Sequence, residues 1–310
     1  MPEWDYDLII VGGGPGGLTA GIYAGRARLK TVLLEKLTHG GQMMGTDLVE
    51  NYPGFPEGIT GFELSDRMRQ QAERFGLEIR NQEVLELKPG KSAQTVVLED
   101  GQLTAGAVII TTGARYRRLG VPGEDKLAGH GVSFCATCDG AFFKDEEIAM
   151  VGGGDNALTE ILFLERFAKK IHLIHRRDQF RGCKYLQERV FAIDKVQVHL
   201  NTVVTEFKGQ SALEALELHN VKTGEHSTLP VTGAFIAIGM VPNTAWLGNL
   251  LPLDKWGFIV TNAAMEVGIP GIFAAGDVRS KWERQISTAV GDGTVAAIAV
   301  ERYLETLKNG

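Results

Sequence analysis

Cysteine and proline are scarce in this chain of 310 residues, which has 3 cysteines and 10 prolines. So few cysteines cannot build the disulfide framework of a small secreted domain, and the chain reads as cytoplasmic. The low proline count, with 44% hydrophobic and 23% charged residues, excludes a disordered or proline-rich chain. No apolar run approaches the ~20 residues that a bilayer-spanning helix needs. Positive charge is not in excess either. Lys and Arg number 32 against 38 Asp and Glu, a formal net charge of −6, which favours neither nucleic acid nor an anionic membrane as partner. The N-terminal Met1-Pro2-Glu3-Trp4-Asp5-Tyr6-Asp7 is acidic and lacks the pattern of a signal peptide. What is abundant is glycine, with 39 residues spread along the chain where average usage is ~7%. Glycine is required where backbone turns with positive φ or approaches a ligand closely. The length suits about two domains, each with its own core.

The same unit occurs twice. Asp7-Leu-Ile-Ile-Val11 is a short apolar run leading into Gly12-Gly13-Gly14-Pro15-Gly16-Gly17 and then a small-residue helix. A second apolar run, Thr31 to Leu34, ends in Glu35. Strand, G-x-G-x-x-G, helix, strand and acid together form a dinucleotide-binding pattern. Gly12 permits the tight turn, Gly14 lets backbone approach a pyrophosphate, and Gly17 lets the helix pack against the strand. Phosphates then sit at the helix N-terminus, with Glu35 placed for ribose hydroxyls.

Ile148 to Val151 opens the second copy, followed by Gly152-Gly153-Gly154-Asp155-Asn156-Ala157. A helix is expected over 158–168, then a strand over Ile171-His-Leu-Ile174. From Gly17 to Glu35 is 18 residues, and from Ala157 to His175 is again 18. The strand end differs: Glu35 in the first copy, His175-Arg176-Arg177 with Arg181 beyond in the second. An acid suits an unphosphorylated ribose, whereas arginines suit a 2′-phosphate. The second site therefore reads as NADP(H), and the first as a ligand without that phosphate, such as FAD. The alternative for the basic cluster is a solvated strand end.

The first unit reads as discontinuous. Val108 to Gly113 and Gly271 to Asp277 are both apolar strands ending in glycine turns, and Ala234 to Gly239 echoes them within the second unit. Leu119-Gly-Val-Pro-Gly123 and Gly239-Met-Val-Pro-Asn243 have connector composition. The expected fold is α/β, with two Rossmann-like domains, the second inserted into the first. The first spans 1–117 and 246–310 and the second 118–245, with two crossings that suit a hinge.

Cys135 and Cys138 stand as C-x-x-C in Ser133-Phe134-Cys135-Ala136-Thr137-Cys138-Asp139-Gly140. Beside an α/β pattern this reads as a redox dithiol. Thiol–disulfide exchange needs an attacking thiolate and a proton for the departing one, which Asp139 can supply or relay. The competing readings are a zinc site, inert buried thiols, and Asp139 as a helix cap. Zinc would need two more ligands, for which His172 and His175 offer only an H-x-x-H. Cys183 stands apart, as a packed or incidental thiol.

Together these stretches resemble the low-molecular-weight, bacterial-type thioredoxin reductases, of the class II pyridine nucleotide-disulfide oxidoreductase family. The resemblance also takes in Gly40-Gly-Gln-Met-Met44, Glu50-Asn-Tyr-Pro-Gly-Phe55, Pro242-Asn243 and Phe273-Ala-Ala-Gly-Asp277 with Arg284-Gln285. It covers almost the whole chain in order. Larger glutathione-reductase-like enzymes fit less well, since they carry a cysteine pair in the first unit and a further interface domain.

The resemblance implies a homodimer with FAD, NADPH as reductant and thioredoxin as disulfide partner. By position, Gly12, Gly14, Pro15 and Gly17 would cradle the FAD pyrophosphate and Glu35 its ribose. Gln42 and Asn51 would lie near the flavin, with Asp277, Arg284, Gln285 and Ile286 closing the site. Gly154, Asn156, His175, Arg176, Arg177 and Arg181 would bind NADPH. Cys138 would face the flavin, Cys135 would attack the partner disulfide, and Asp139 would be the acid–base. No metal is expected. Where the family often has an aromatic and an arginine, this chain has Ala141 and His130. A different disulfide protein as partner, and a flavin-binding redox sensor without turnover, are the alternative functions.

Overall fold

The structure, a computed structural model, describes residues 4–46 and 48–309. Met1, Pro2 and Glu3 of the acidic N-terminal stretch lie outside the described residues. The chain is α/β and divides into two compact units. One runs to Arg115 and resumes at Val241; the other is Tyr116–Met240.

In the first unit the chain runs β1 (Tyr6–Val11), α1 (Pro15–Arg26), β2 (Thr31–Glu35), α2 (Gly61–Arg74), β3 (Glu78–Asn81), β4 (Val84–Lys88), β5 (Gln94–Leu98) and β6 (Gly101–Ile110). It leaves through β7 (Ala114–Tyr116). The second unit holds β8 (Val132–Ser133), α3 (Ala136–Asp139), β9 (Glu147–Gly152), α4 (Asp155–Leu164), β10 (Lys170–Ile174), α5 (Lys184–Phe191) and β11 (Val196–His199). It continues with β12 (Thr202–Lys208), β13 (Ala215–Asn220), β14 (His226–Pro230) and β15 (Gly233–Ala237). The chain returns through β16 (Met240–Pro242), which pairs with β7, and ends with β17 (Ile272–Ala274) and α6 (Ile286–Asn309).

The first sheet has the order β3-β2-β1-β6-β5-β4, with β17 also paired to β6. β6 is long enough to serve two neighbours along one edge. Its start pairs antiparallel with β5 and its end parallel with β17, Ile272 standing opposite Val108. A parallel sheet and an antiparallel meander thus share one strand. Parallel strands buried on both faces should be apolar throughout, and β1 is from Leu8 to Val11. Leu8 and Ile10 pack into one core, while Ile9 and Val11 pack into another. Each such fully buried side chain contributes about 1.5–3 kcal/mol.

The second unit repeats the plan, with parallel order β11-β10-β9-β15-β8 and a separate antiparallel sheet, β12-β13-β14. Here Ile148 and Met150 of β9 face one core and Ala149 and Val151 the other.

Two boundaries differ from the sequence reading. The helix after the second glycine turn is Asp155–Leu164 rather than 158–168. It starts directly from the turn. Beyond its end, Lys195 Nζ donates to the carbonyls of Glu165 and Ala168, so that those acceptors need no further helical turn. The stretch Leu119–Gly123 lies inside the second unit. The Glu124 carboxylate accepts from the Leu119 and Gly120 N–H groups at 2.9 and 2.7 Å, and Phe207 N–H donates to Pro122 O at 2.9 Å. Those bonds tie it to the core.

Candidate functional site

The first glycine turn is held from beneath. Thr111 Oγ1 donates to Gly12 O at 2.7 Å, and Gly12 N–H donates to Leu34 O at 2.8 Å. Gly12 has φ +110°, and a Cβ there would lie 2.5 Å from Thr111 O. A Cβ at Gly17 would lie 2.0 Å from Gly12 O, so helix and turn touch backbone to backbone. Gly14 is different: a Cβ there would meet nothing within 4 Å. The space in front of it is open. Gly14 is the N-cap of α1, Pro15 takes the first helical turn, and no side chain caps the helix. Its leading N–H groups are left for an anion.

Other segments gather around this end of α1. Glu35 is clamped by backbone, accepting from Gly13 N–H at 2.7 Å and Leu37 N–H at 2.9 Å. Gly40 N–H donates to Gly13 O at 2.7 Å, which brings the following Gly41-Gln42 segment to the turn. Gln42 Nε2 donates to Ala114 O. A Cβ at Gly16 would lie 3.7 Å from Gly276 Cα, so the Gly276-Asp277 turn also borders the helix start. Asn51 Nδ2 donates to Gln285 Oε1 at 3.3 Å, and Arg284 Nε donates to Asp277 O at 3.4 Å. Ile286 opens α6 and packs against the core beneath. Burial pushes the Asp277 carboxyl up, while Lys281 and Arg284 pull it down. Its Oδ1 is buried and accepts no hydrogen bond among the described residues. An open cradle, an uncapped helix start and a buried carboxylate with spare acceptor capacity fit a dinucleotide bearing hydroxyls.

The second turn has the same design. A Cβ at Gly152 would lie 2.6 Å from Ala237 O, whereas one at Gly154 would meet nothing within 4 Å. Gly154 is the N-cap of α4, again without a side-chain cap. The basic loop is bolted to this turn, since Gly153 O accepts from both Arg181 N–H at 2.7 Å and Gly182 N–H at 3.1 Å. His175 performs the inner half of that fastening. It is buried, with Nδ1 3.1 Å from Gly152 O and Nε2 3.0 Å from Gln179 O, and it stacks on Phe180. Burial holds its pKa below the usual histidine range. Arg176, Arg177 and Arg181 are exposed and form no ion pair among the described residues. Unpaired guanidinium groups beside an uncapped helix start fit a phosphorylated ribose. Asn156 is exposed and donates to Glu160 Oε1 at 3.0 Å.

The cysteine pair lies in the second unit. Cys135 and Cys138 are joined as a disulfide, with Cα atoms 5.3 Å apart. Cys135 is the N-cap of the four-residue helix α3, and the Cys138 and Asp139 N–H groups both donate to Cys135 O, at 3.2 and 3.1 Å. Asp139 does not cap a helix with its side chain. Its Oδ2 accepts from Ser133 Oγ at 2.6 Å, and Ser133 Oγ accepts from Cys135 N–H at 3.1 Å. Ser133 therefore links the carboxylate to the cysteine backbone, a role the sequence reading missed. Its signal was a serine two residues before the cysteine at a strand end, the pattern of a local hydroxyl-to-backbone turn. Also missed were Thr111 under the first turn and Lys281 beside Asp277.

The two histidines of the H-x-x-H part company. His172 Nδ1 faces His199 Nε2 at 3.1 Å, while His175 faces the glycine turn. Among the described residues no group of three or more His, Cys, Asp or Glu is arranged to hold a metal ion. Cys183 is free and exposed at the start of α5, its N–H donating to Asp155 Oδ1 at 2.7 Å. No helix among the described residues is long and apolar enough to cross a membrane.

Residues 6–293 match the family described as pyridine nucleotide-disulphide oxidoreductase. The chain is 47% identical over 306 residues to a thioredoxin reductase of Streptomyces coelicolor, covering 98% of this chain and 95% of that one. It is 46% identical to a thioredoxin reductase of Bacillus subtilis, covering 98% and 96%. Among solved structures, a thioredoxin reductase of Streptococcus pyogenes superposes with a TM-score of 0.94 at 45% identity, covering 97% of this chain and 98% of that one. One of Lactococcus lactis, described as the FR conformation, has a TM-score of 0.67 at 41% identity, covering 97% and 100%.

Proposed function

The chain belongs to the pyridine nucleotide-disulphide oxidoreductase family, and we propose that it is a thioredoxin-disulfide reductase that uses FAD and NADPH. The observation that carries this reading is the Cys135–Cys138 disulfide beside a hydroxyl-bound carboxylate, in a unit whose glycine turn is lined by free arginines.

When bound, NADPH would supply a hydride and FAD the two-electron redox chemistry that links it to a disulfide. The chain's own residues do the rest. Gly12, Gly14, Pro15 and Gly17 hold the FAD pyrophosphate at the start of α1, and Glu35, fixed by two backbone N–H groups, accepts from ribose hydroxyls. Gln42, Asn51, Asp277, Arg284, Gln285 and Ile286 complete that site. Gly154 and Asn156 receive the NADPH pyrophosphate, and Arg176, Arg177 and Arg181 grip its 2′-phosphate. His175 is buried, so its part is to hold the loop that carries those arginines.

Reduction of Cys135–Cys138 takes up two electrons and two protons, leaving two thiols. The Cys135 thiolate attacks a sulfur of the partner's disulfide, forming a mixed disulfide and releasing one partner thiolate. Asp139 takes up the proton that the Cys135 thiol gives up and passes it to the departing thiolate. Cys138 then attacks Cys135, restoring the internal disulfide and releasing the second partner thiol. Cys138 would be the sulfur that meets the flavin, and Cys135 the one that meets the partner.

The dithiol has to meet both the flavin and a protein, which one rigid arrangement cannot serve, so the units rotate about β7 and β16. The relatives support this. The S. pyogenes and L. lactis structures have similar identity and coverage, yet TM-scores of 0.94 and 0.67, so relatives differ among themselves in whole-chain geometry. The enzyme acts as a cytoplasmic homodimer.

The test is steady-state NADPH oxidation with oxidised thioredoxin. Sustained turnover with NADPH and much slower turnover with NADH is expected. A single stoichiometric reduction without turnover would overturn the enzyme reading in favour of a sensor. Turnover with small disulfides but not with thioredoxin would overturn the partner.

A further inference from the structure

Behind the Gly276-Asp277 turn, charged side chains close on one another. Asp292, on α6, has Oδ1 2.7 Å from Arg279 Nη1 and Oδ2 3.0 Å from Lys281 Nζ. The same Oδ2 accepts from Gly276 N–H at 3.1 Å, so α6 holds the turn directly. Lys281 Nζ also donates to Thr288 Oγ1 at 3.2 Å and stands 3.4 Å from Asp277 Oδ1. Arg279 Nε donates to Thr261 Oγ1 at 2.8 Å. The side chains of Arg279, Lys281 and Asp292 are only 12–13% exposed.

Burying such a set costs desolvation free energy, and buried ion pairs are weak devices for stability and better ones for fixing geometry. Arg279, Lys281 and Asp292 spend their hydrogen bonds on one another and on neighbouring threonines and backbone. Asp277 does not. Its Oδ1 is within ion-pair distance of Lys281 but accepts no hydrogen bond among the described residues. The network thus ends in one acceptor with unspent capacity, at the turn bordering the open glycine cradle.

Resting on the flavin reading above, we propose that Lys281 is a positioning residue of the flavin site. Anchored by Asp292 and Arg279, it keeps the Asp277 carboxylate ionised and available to a hydroxyl of the bound FAD. The groups that act on Asp277 are Lys281 and Arg284, which favour its ionised form, and Asp292, which with burial opposes it. Removing the Lys281 charge leaves burial and Asp292 opposed by Arg284 alone. Asp277 then takes up a proton at higher pH and ceases to be a pure acceptor. FAD affinity in such a variant should fall, and should begin to fall with acidification at a higher pH than in the wild type.

The experiment titrates FAD into the full-length apoprotein over a range of pH, following flavin fluorescence, with unfolding of each apoprotein measured alongside. Lys281→Met should bind FAD about tenfold or more weakly near neutrality, the loss of a charge-assisted hydrogen bond, with its pH profile displaced upward. Lys281→Arg should restore both affinity and profile. Where Lys281→Met does not fold, Lys281→Gln keeps a donor for Asp292 and Thr288 without the charge, and should show the same displacement. An unchanged affinity, or a loss equal at every pH, overturns the proposal, because a merely structural lysine would not move the profile. If the wild type itself bound no FAD, the flavin reading would fail instead, and the two failures are distinct.

Discussion

Gly14 and Gly17 lie three residues apart in one turn, but a Cβ would meet open space at the first and backbone at the second. Replacing each with alanine separates a ligand role from a packing role. At Gly17 the new methyl would stand 2.0 Å from Gly12 O and 2.8 Å from Thr111 Oγ1, against ordinary contacts of about 3.5 Å. Neither neighbour yields easily, because Thr111 Oγ1 is itself bonded to Gly12 O and Val11 O. Overpacking of this kind costs about 1–3 kcal/mol, offset in part by the ~0.5–1 kcal/mol that alanine gains over glycine in a helix. The net loss, about 1–2 kcal/mol, lowers the apoprotein Tm by roughly 2–8 °C in a unit of this size. At Gly14 the backbone has φ −75° and ψ −177°, which alanine adopts freely, and no atom lies within 4 Å of the added carbon. Apoprotein stability should stay within about 0.5 kcal/mol of wild type. The methyl would instead occupy the path by which a pyrophosphate reaches the helix N–H groups. Losing one such charge-assisted bond costs about 1.5–3 kcal/mol, at least a tenfold rise in the Kd for FAD. The assay is thermal unfolding of the two apoproteins, followed by FAD titration. If Gly14→Ala destabilised the apoprotein as much as Gly17→Ala, or bound FAD as tightly as the wild type, the division of roles would be wrong.

Three further outcomes are expected. Cys138→Ser should keep its yellow flavin and remain reducible by NADPH while losing thioredoxin turnover; retained disulfide turnover would remove Cys138 from the mechanism. Replacing Arg176 and Arg177 with glutamine should raise KM for NADPH far more than for NADH, and equal changes would mean that the pair does not read the 2′-phosphate. Glu160 and His172 should pull the pH dependence of stability in opposite directions. Burial raises Glu160 to about 7 from 4.5, so the folded state holds its proton longer and stability falls as pH rises through that window. Burial lowers His172 to about 4 from 6.5, so the unfolded state takes the proton first and stability falls as pH drops through that one. Glu160→Gln should add up to about 3 kcal/mol of stability near neutrality. It should also leave the His172 trend uncancelled, so that unfolding free energy rises more steeply with pH between 4.5 and 6.5. A denaturation series showing no steepening would refute the Glu160 assignment.

Much of the chemistry was legible without coordinates because it depends on local backbone requirements. A tight turn, a close approach and a helix packed on a strand each require glycine at a set offset, so the residues from Gly12 to Gly17 and from Gly152 to Ala157 announce themselves. The C-x-x-C spacing places two sulfurs within bonding reach by chain geometry alone. The runs at β1 and β9 are apolar throughout because both faces of a parallel sheet are buried, and that too is written in residue type.

What was not legible depends on groups far apart in sequence. His175 stands in the basic cluster by position, yet the fold turns it inward to the Gly152 and Gln179 carbonyls and leaves the arginines outside. The end of α4 was misplaced because Lys195, some thirty residues on, supplies donors to carbonyls past the helix. Lys281 and Asp292 had no motif to mark them, because their meeting depends on α6 lying against the Gly276 turn. Residue spacing determines which turns and bonds the backbone can make over a few residues. Which charges are desolvated, and what pairs with them, is decided only when separate elements pack and exclude water.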